Sequence, residues 1–312
     1  MIQKLIKALQ KYDSFSVTSH MNLEGDALGS QIALYLLLKK MGKKVVMVNQ
    51  DKVPSSYMFL PCVRQIVNTA VTLKVDAAIA VDCSDLFRTG SVQEFIARTP
   101  CVLNIDHHVS NSYFGTVNWV DGNASSACQM VYQLCKKLKS LDKQIALCLY
   151  TGMVTDTGSF TYSNTTSQVH GIVSDLLTYD ISPQKINHAL HSAYEIKDIH
   201  FLGRLMGKVR QDAGGRIAWL QTKQWPPELN MDLTETVFSF LRLLKDAEVL
   251  VLFKETPSKD IRVNFRSKGK LDVNKVARMF GGGGHCTASG ATVKGTLKAV
   301  EREVVRSIKK LL

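Results

Sequence analysis

None of the seven cysteines forms a Cys-x-x-Cys pair; they are scattered singly along 312 residues. That argues against a zinc ribbon or disulfide scaffold and for a reducing, cytoplasmic setting. No apolar run approaches the roughly 18 residues that suggest a membrane span, so no membrane partner is expected. The N-terminus, Met1 to Leu9, reads as an amphipathic helix. It lacks the apolar core and small-residue cleavage site of a signal peptide. There is no internal repeat, no low-complexity tract and no added nucleic-acid module. What remains is ordinary globular composition, 45% hydrophobic and 21% charged. The length allows two domains, each with its own core.

The net charge of +12 is unevenly placed. Residues 1–200 carry 18 Lys/Arg against 16 Asp/Glu, and residues 201–312 carry 21 against 11. A basic C-terminal part suits an anionic partner such as a nucleotide or nucleic acid. A solvated basic helix, Lys294 to Lys310, accounts for part of the excess.

Read in order, Ser14 to His20 is a first strand. The loop Met21 to Asp26 follows, then a helix from Ala27 to Met41, closed by Gly42. Lys43 to Asn49 and Val75 to Asp82 are strands. The second is nearly all apolar after Asp76, as a parallel strand covered on both faces should be. Val102 to Ile105 and Thr116 to Val120 add two more. Helices are expected near 125–138, 142–155 and 167–179, and Ser182-Pro183 marks a helix start with Ser as N-cap. Strands alternating with helices predict a doubly wound, mainly parallel α/β domain over residues 1–190. A helical linker is expected at 191–213. Gly214-Gly215 then opens a smaller α/β domain, 214–312, with strands near 216–221, 247–253 and 261–265 and helices near 233–244, 273–280 and 297–312.

Four short motifs stand where a strand or helix gives way to a loop: His20-x-x-x-Glu24-x-Asp26, Asp82, Asp106-His107-His108 and Asp156. Sequence order alone sets the first three at the carboxyl ends of strands, where open parallel sheets bind ligands. Each has a plainer reading. Asp26 suits the N-cap of the next helix. Asp106-His107-His108 could be a solvated turn, Asp82 a turn residue and Asp156 a loop carboxylate. Their number and kind tip the balance. Four carboxylates and two or more imidazoles at one sheet edge repel one another unless cations neutralise them. Oxygen and imidazole donors without thiolate suit Mn²⁺, with Mg²⁺, Fe²⁺ and Co²⁺ behind it. Two cations about 3.5–4 Å apart would share one carboxylate.

The set His20…Glu24-x-Asp26-Ala-Leu-Gly29-Ser30, Val81-Asp82, Asp106-His107-His108 and Thr155-Asp156 resembles the DHH phosphoesterase superfamily. Gly281-Gly-Gly-Gly284-His285-x-x-Ala288-Ser-Gly290 resembles the signature of the DHH-associated domain that accompanies it. Together they cover nearly the whole chain. Length and layout look most like the bacterial nanoRNase/pAp-phosphatase branch. That branch degrades short oligoribonucleotides and removes the 3′-phosphate of adenosine 3′,5′-bisphosphate (pAp). The resemblance implies an active site in the cleft between the domains, with two divalent cations, Mn²⁺ first and Mg²⁺ or Co²⁺ next. One cation would take His20, Glu24 and Asp82; the other would take Asp26, Asp82, His107 and Asp156, with Asp82 as bridge. His108 would face the phosphate as general acid or transition-state stabiliser, and Asp106 would orient its neighbours. The family usually has Asp where Glu24 stands. Glu is one methylene longer: it still reaches a metal if the loop backs away, or it loosens that site.

Four successive glycines before His285 let backbone approach a ligand closely and point N–H groups at an anion. With the resemblance, Gly282, Gly283, Gly284 and His285 become phosphate contacts. Arg266 and Asn264 become substrate contacts, Arg being suited to a bidentate grip on phosphate. Arg88 is a further candidate that could equally be a surface residue. Trp219 and Trp225 could stack on bases but are read as core; His170, His188, His191 and His200 are read as structural. The partners expected are short RNA oligonucleotides or nucleotides such as pAp, with a homodimer left open. A cyclic or linear dinucleotide phosphodiesterase would use the same site. The glycine-His signature disfavours a manganese inorganic pyrophosphatase. A non-catalytic nucleotide or RNA-binding sensor would show a degraded site.

Overall fold

The computed structural model describes residues 1–68, 74–191, 194–212, 214–223, 225–226, 229 and 233–312. The chain divides into two units, Met1–Ala193 and Tyr194–Leu312.

In the first unit, α1 (Ile2–Lys11) leads to β1 (Ser14–Thr18), α2 (Gly25–Lys40), β2 (Lys44–Val48), β3 (Ile66–Val67) and β4 (Ala77–Val81). Then come α3 (Gln93–Arg98), β5 (Val102–Asp106), β6 (Val117–Val120), α4 (Ala127–Lys137), α5 (Lys143–Asp156), α6 (Ser167–Leu177) and α7 (Pro183–His191). The strands pair in the order β3-β2-β1-β4-β5-β6, each neighbour parallel. This is the doubly wound order whose direction reverses between the first and fourth strands. β4 is buried along its whole length, so both sheet faces are covered. Ile79 and Val81 pack with Phe15, Leu28, Ile32 and Leu149 on one face, and Ala78 packs with Val48, Val92 and Ile96 on the other. Each large side chain so buried contributes about 1.5–3 kcal/mol. Two-residue β3 and short α3 lack the length to show in the sequence.

Missing side chains let α2 and α5 approach. A Cβ at Gly25 would lie 2.3 Å from Thr155 Oγ1, and one at Gly29 2.4 Å from the Cys148 carbonyl oxygen. At Gly152 it would lie 3.0 Å from Asp26 Cα on α2, and 2.2 Å from Cys128 Sγ on α4. The first turn of α2 therefore meets the last turn of α5. α2 begins two residues earlier than its apolar spacing predicts, because Glu24 is its N-cap. Asp26, read as a candidate cap, lies inside the first turn. Ser182 does cap its helix, Oγ accepting from the Lys185 N–H at 3.3 Å.

The second unit comprises α8 (Ile196–Met206), β7 (Arg210–Gln211), β8 (Ile217–Thr222), α9 (Thr234–Leu241), β9 (Val249–Glu255), β10 (Ile261–Ser267), α10 (Val273–Met279), β11 (Gly283–Gly284), β12 (Ala288–Val293) and α11 (Leu297–Lys309). The sheet order is β11-β12-β10-β9-β8-β7, parallel only between β8 and β9. α8, expected as linker, falls within this unit; residues 192–193 and 213 of that expected linker lie outside the described residues. Ala288-Ser-Gly290, the end of the glycine-His signature, begins strand β12. Small residues hid its alternation, which the burial pattern displays. Val251, Phe253, Val263 and Phe265 pack on Val276, Val300 and Val304. Leu220, Leu250 and Leu252 pack on Leu202, Phe238 and Leu241. Trp219 is in the core, while Trp225 meets Phe201 edge-on at 5.9 Å beneath Lys254.

Candidate metal centre

The sheet's reversal leaves the carboxyl ends of β1 and β4 side by side, the switch point at which such folds bind ligands. His20 stands two residues beyond β1, Asp82 one beyond β4, and Asp106 ends β5. Asp82 holds φ at 58°, a left-handed conformation that Asp tolerates better than most non-glycine residues. Asp26 arrives on the first turn of α2 and Asp156 closes α5, so the glycine-lined contact between those helices carries both to the same edge.

His20 Nδ1 donates to the Met21 carbonyl at 2.7 Å, turning Nε2 towards Asp82 Oδ2 at 3.2 Å. His107 is held at Nδ1 by the Ala124 carbonyl at 3.3 Å. Its Nε2 lies 3.4 Å from Asp82 Oδ1 and 3.8 Å from both Asp26 Oδ2 and Asp156 Oδ2. Among the described residues three compact donor sets result: His20–Glu24–Asp82, Asp26–His107–Asp156 and Asp82–His107–His108. Asp82, touching both His20 and His107, links the first two. In the third set His108 has Nδ1 3.6 Å from Asp82, and that atom is committed to Asp106 Oδ1 at 2.7 Å. The two roles of Asp26 and Glu24 are visible in their bonds. Asp26 accepts from the Ala127 and Cys128 amides, at 2.6 and 2.8 Å, at the start of α4. Glu24 Oε1 accepts from the Asp26 and Ala27 amides, both at 3.2 Å.

The electrostatics are frustrated in a way that a cation relieves. Burial pushes Asp26 up to about 7, with the Asp82 charge adding to it. Burial likewise drives Asp156 well above the carboxylate range, helped by Asp26, Glu24 and Asp82, and it raises Glu24 together with Asp82. Asp82 moves the other way: against its burial, His107 and His20 hold it well below the usual range. His107 rises well above its ordinary value because Asp82, Asp156 and Asp26 outweigh its burial. Among the described residues, Asp82 Oδ1 is buried and has no hydrogen bond, its nearest imidazole nitrogens lying at 3.4 and 3.6 Å. An orphaned carboxylate oxygen amid imidazole and carboxylate donors fits a divalent cation. Donor spacings of 3.2–3.8 Å are close to the edges of a shell built on bonds of about 2.1 Å.

Arg88 is near this edge. Its carbonyl accepts from the Met21 amide at 2.6 Å and its charge opposes protonation of His20. The remaining expected contacts are in the second unit. Arg266 on β10 stacks over Phe238 at 4.8 Å and pairs with Glu235, while Asn264 shares its strand face. Arg262 lies on that face too and was not singled out; the period-two spacing 262, 264, 266 was the available signal. In the glycine run, the Gly281, Gly282 and His285 amides donate to carbonyls of this chain. A Cβ at Gly282 would sit 2.2 Å from the Gly290 carbonyl oxygen, and one at Gly284 2.6 Å from that of Ala288. Close approach to β12 is thus one reason for glycine there. Asn104 and Asn111, buried beside Asp106, were also missed. An Asn interrupting the apolar run of β5 was the visible hint.

The model of the DHH family, N-terminal domain, matches residues 14–153, and that of the DHHA1 domain matches residues 217–312. A Thermus thermophilus protein named bifunctional oligoribonuclease and PAP phosphatase NrnA is 29% identical, over 98% of this chain and 94% of that protein. The Bacillus subtilis protein of the same name is 26% identical over 93% and 92%. The crystal structure of an exopolyphosphatase-related protein from Bacteroides fragilis superposes with a TM-score of 0.90 at 24% identity, covering 99% of this chain and 94% of that one.

Proposed function

We propose, for a chain that belongs to the DHH family and carries a DHHA1 domain, Mn²⁺-dependent hydrolysis of short oligoribonucleotides and of the 3′-phosphate of pAp. The chain is a phosphoesterase hydrolase. The observation that carries the finer reading is the pair of donor sets joined through Asp82 and its orphaned oxygen. Relatives named for oligoribonuclease and PAP phosphatase activity, matched over nearly their whole length, support the substrate class. Seven free cysteines, five of them buried, support a cytoplasmic setting.

His20, Glu24 and Asp82 would hold one divalent cation, and Asp26, Asp82, His107 and Asp156 the other. When bound, such cations acidify a water and offset charge on the phosphoryl oxygens. The carbonyls of Met21 and Ala124 fix both imidazole ligands, so little reorganisation is left for binding. His108 has Nδ1 committed to Asp106, so its proton transfer to a phosphate or leaving oxygen runs through Nε2. Arg266, Asn264, His285 and Gly282 to Gly284 would bind substrate phosphate. Arg266 must exchange Glu235 for it.

The test is turnover of pAp, RNAs of two to five nucleotides, cyclic dinucleotides and pyrophosphate with Mn²⁺, alongside Asp82→Ala. Hydrolysis of pAp and the short RNAs is expected, with about a thousandfold loss or more in the variant. Turnover of cyclic dinucleotides or pyrophosphate alone would overturn the substrate reading. Nucleotide binding without any turnover would replace it with a sensor.

A further inference from the structure

Behind His108 lies a buried amide cluster. Asn104 sits inside β5 with no exposed surface, between Leu103 and Ile105. An amide there is costly unless its polar atoms are paired. They are. Asn104 Nδ2 donates to the Ala80 and Cys83 carbonyls at 3.3 and 3.0 Å, and Oδ1 accepts from Asn111 Nδ2 at 2.9 Å. Asn111 Nδ2 also donates to Asp106 Oδ2 at 2.6 Å and approaches the Cys83 carbonyl at 3.2 Å. Two hydrogens face three acceptors, so the two shorter contacts take them and Cys83 has a shared third. Asn111 Oδ1 accepts from the Tyr113 amide at 2.7 Å, and the Asn111 amide donates to the His108 carbonyl at 3.1 Å. A flipped Asn111 would turn its oxygen on the Asp106 carboxylate and its NH₂ on the Tyr113 N–H, so only one orientation is satisfied.

We infer that Asn111 is a positioning residue for His108, acting through Asp106. Asn111 pins Asp106 Oδ2, which fixes the plane of the carboxylate. Oδ1 then accepts His108 Nδ1–H at 2.7 Å, setting both the tautomer and the ring direction. Through the Cys83 carbonyl, the same cluster grips the left-handed turn that carries Asp82. One amide pair thereby keeps the proton-transfer group and the shared carboxylate in register. The catalytic consequence rests on the phosphoesterase reading; the effect on the imidazole does not.

The competing explanation is that Asn111 merely shapes the loop after β5. Asn118 supplies the control. It accepts from the Gly115 amide at 2.9 Å and donates to the Gly115 carbonyl at 2.7 Å, holding the same loop, and among the hydrogen bonds of the described residues it has none to Asp106. Asn111→Asp keeps the shape and the acceptor for Tyr113 but removes the donor to Asp106. Asn111→Ser removes the reach and adds no charge, should the first variant fold poorly. The full chain, ¹⁵N-labelled at histidine and metal-free, is compared by NMR with Asn118→Ala; kcat and KM for pAp and a triribonucleotide are measured with Mn²⁺. Wild type and Asn118→Ala should show His108 as the Nδ1–H tautomer. The Asn111 variants should lose that preference and about 10–100-fold in kcat, with KM within twofold. An unchanged His108 signal in the Asn111 variants, or a kcat loss no larger than that of Asn118→Ala, overturns the inference. If wild type hydrolyses neither substrate, the phosphoesterase reading fails while the tautomer comparison still decides Asn111.

Discussion

At Glu24 one carboxylate has two duties, and they can be separated. Oε1 caps α2, a bond set worth about 1 kcal/mol, while the charge belongs to the donor set with His20 and Asp82. A Gln keeps the capping oxygen and drops the charge. Burial and Asp82 already raise the pKa of Glu24, so the charge is a burden in the metal-free fold. Glu24→Gln should therefore be no less stable without metal, yet bind Mn²⁺ at least about tenfold more weakly by calorimetric titration. Unchanged affinity would remove Glu24 from the ligands. The same frustration sets a pH dependence. Asp26, raised from 3.8 to about 7, contributes stability that is full below 3.8 and is lost as pH rises to about 7. His107 and His20, also raised, give up theirs as pH climbs through their folded values. Asp82, lowered, loses its contribution only in acid. The metal-free thermal midpoint should thus fall between pH 5 and pH 8. Mn²⁺ should restore it at pH 8 and do little at pH 5, where Asp26, His20 and His107 hold protons. A metal-free midpoint that climbs over that interval would contradict this account of the site.

Elements bring these residues together, and glycines set how closely the elements pack. In the run 281–284, Gly282 faces the Gly290 carbonyl at 2.2 Å from a would-be Cβ, whereas Gly283 has only Asn274 Oδ1, at 3.9 Å. Gly282→Ala should cost about 1–3 kcal/mol through overpacking against β12, and Gly283→Ala less than about 1, as read by denaturant unfolding. Equal costs would mean that the run is not packed on β12 in this way. The strands and long helices were legible from alternation in β1, a period-3.6 apolar stripe in α11, and unbroken apolar runs in β4 and α5. The polar residues ending those patterns, His20, Asp82, Asp106 and Asp156, were legible for the same reason. Less visible was anything resting on partners distant in sequence. That Glu24 rather than Asp26 caps α2 depends on Asp26 being drawn to the amides of residues 127 and 128. β12 was hidden by its small residues, which make no hydrophobic signal but let β11 approach. Asn111 carries no signal of its own in the sequence, because its bonds to Asp106, Asn104 and the Cys83 carbonyl depend on how the loop after β5 folds back.

Across the whole molecule the charge excess lies almost entirely in residues 201–312, with 21 Lys/Arg against 11 Asp/Glu, while the candidate metal ligands lie in the first unit. Chemistry and electrostatic capture of substrate should therefore respond differently to salt. Each phosphate of a single strand neutralised by a cation adds about 0.7 to the slope of log affinity against log salt. A dinucleotide has few phosphates to offer, and a pentanucleotide has enough to engage several cations. The slope of log KM against log salt should accordingly be steeper for the pentamer, by about 1–2, with kcat little changed for either. Arg262→Gln should lower the pentamer slope by up to about 0.7. Arg266→Gln should lower it by less, because Arg266 starts from an ion pair with Glu235 that salt also weakens. Equal slopes for the two lengths would mean that only the phosphate at the metal centre is held by charge, and that the basic excess of the second unit serves something other than this substrate.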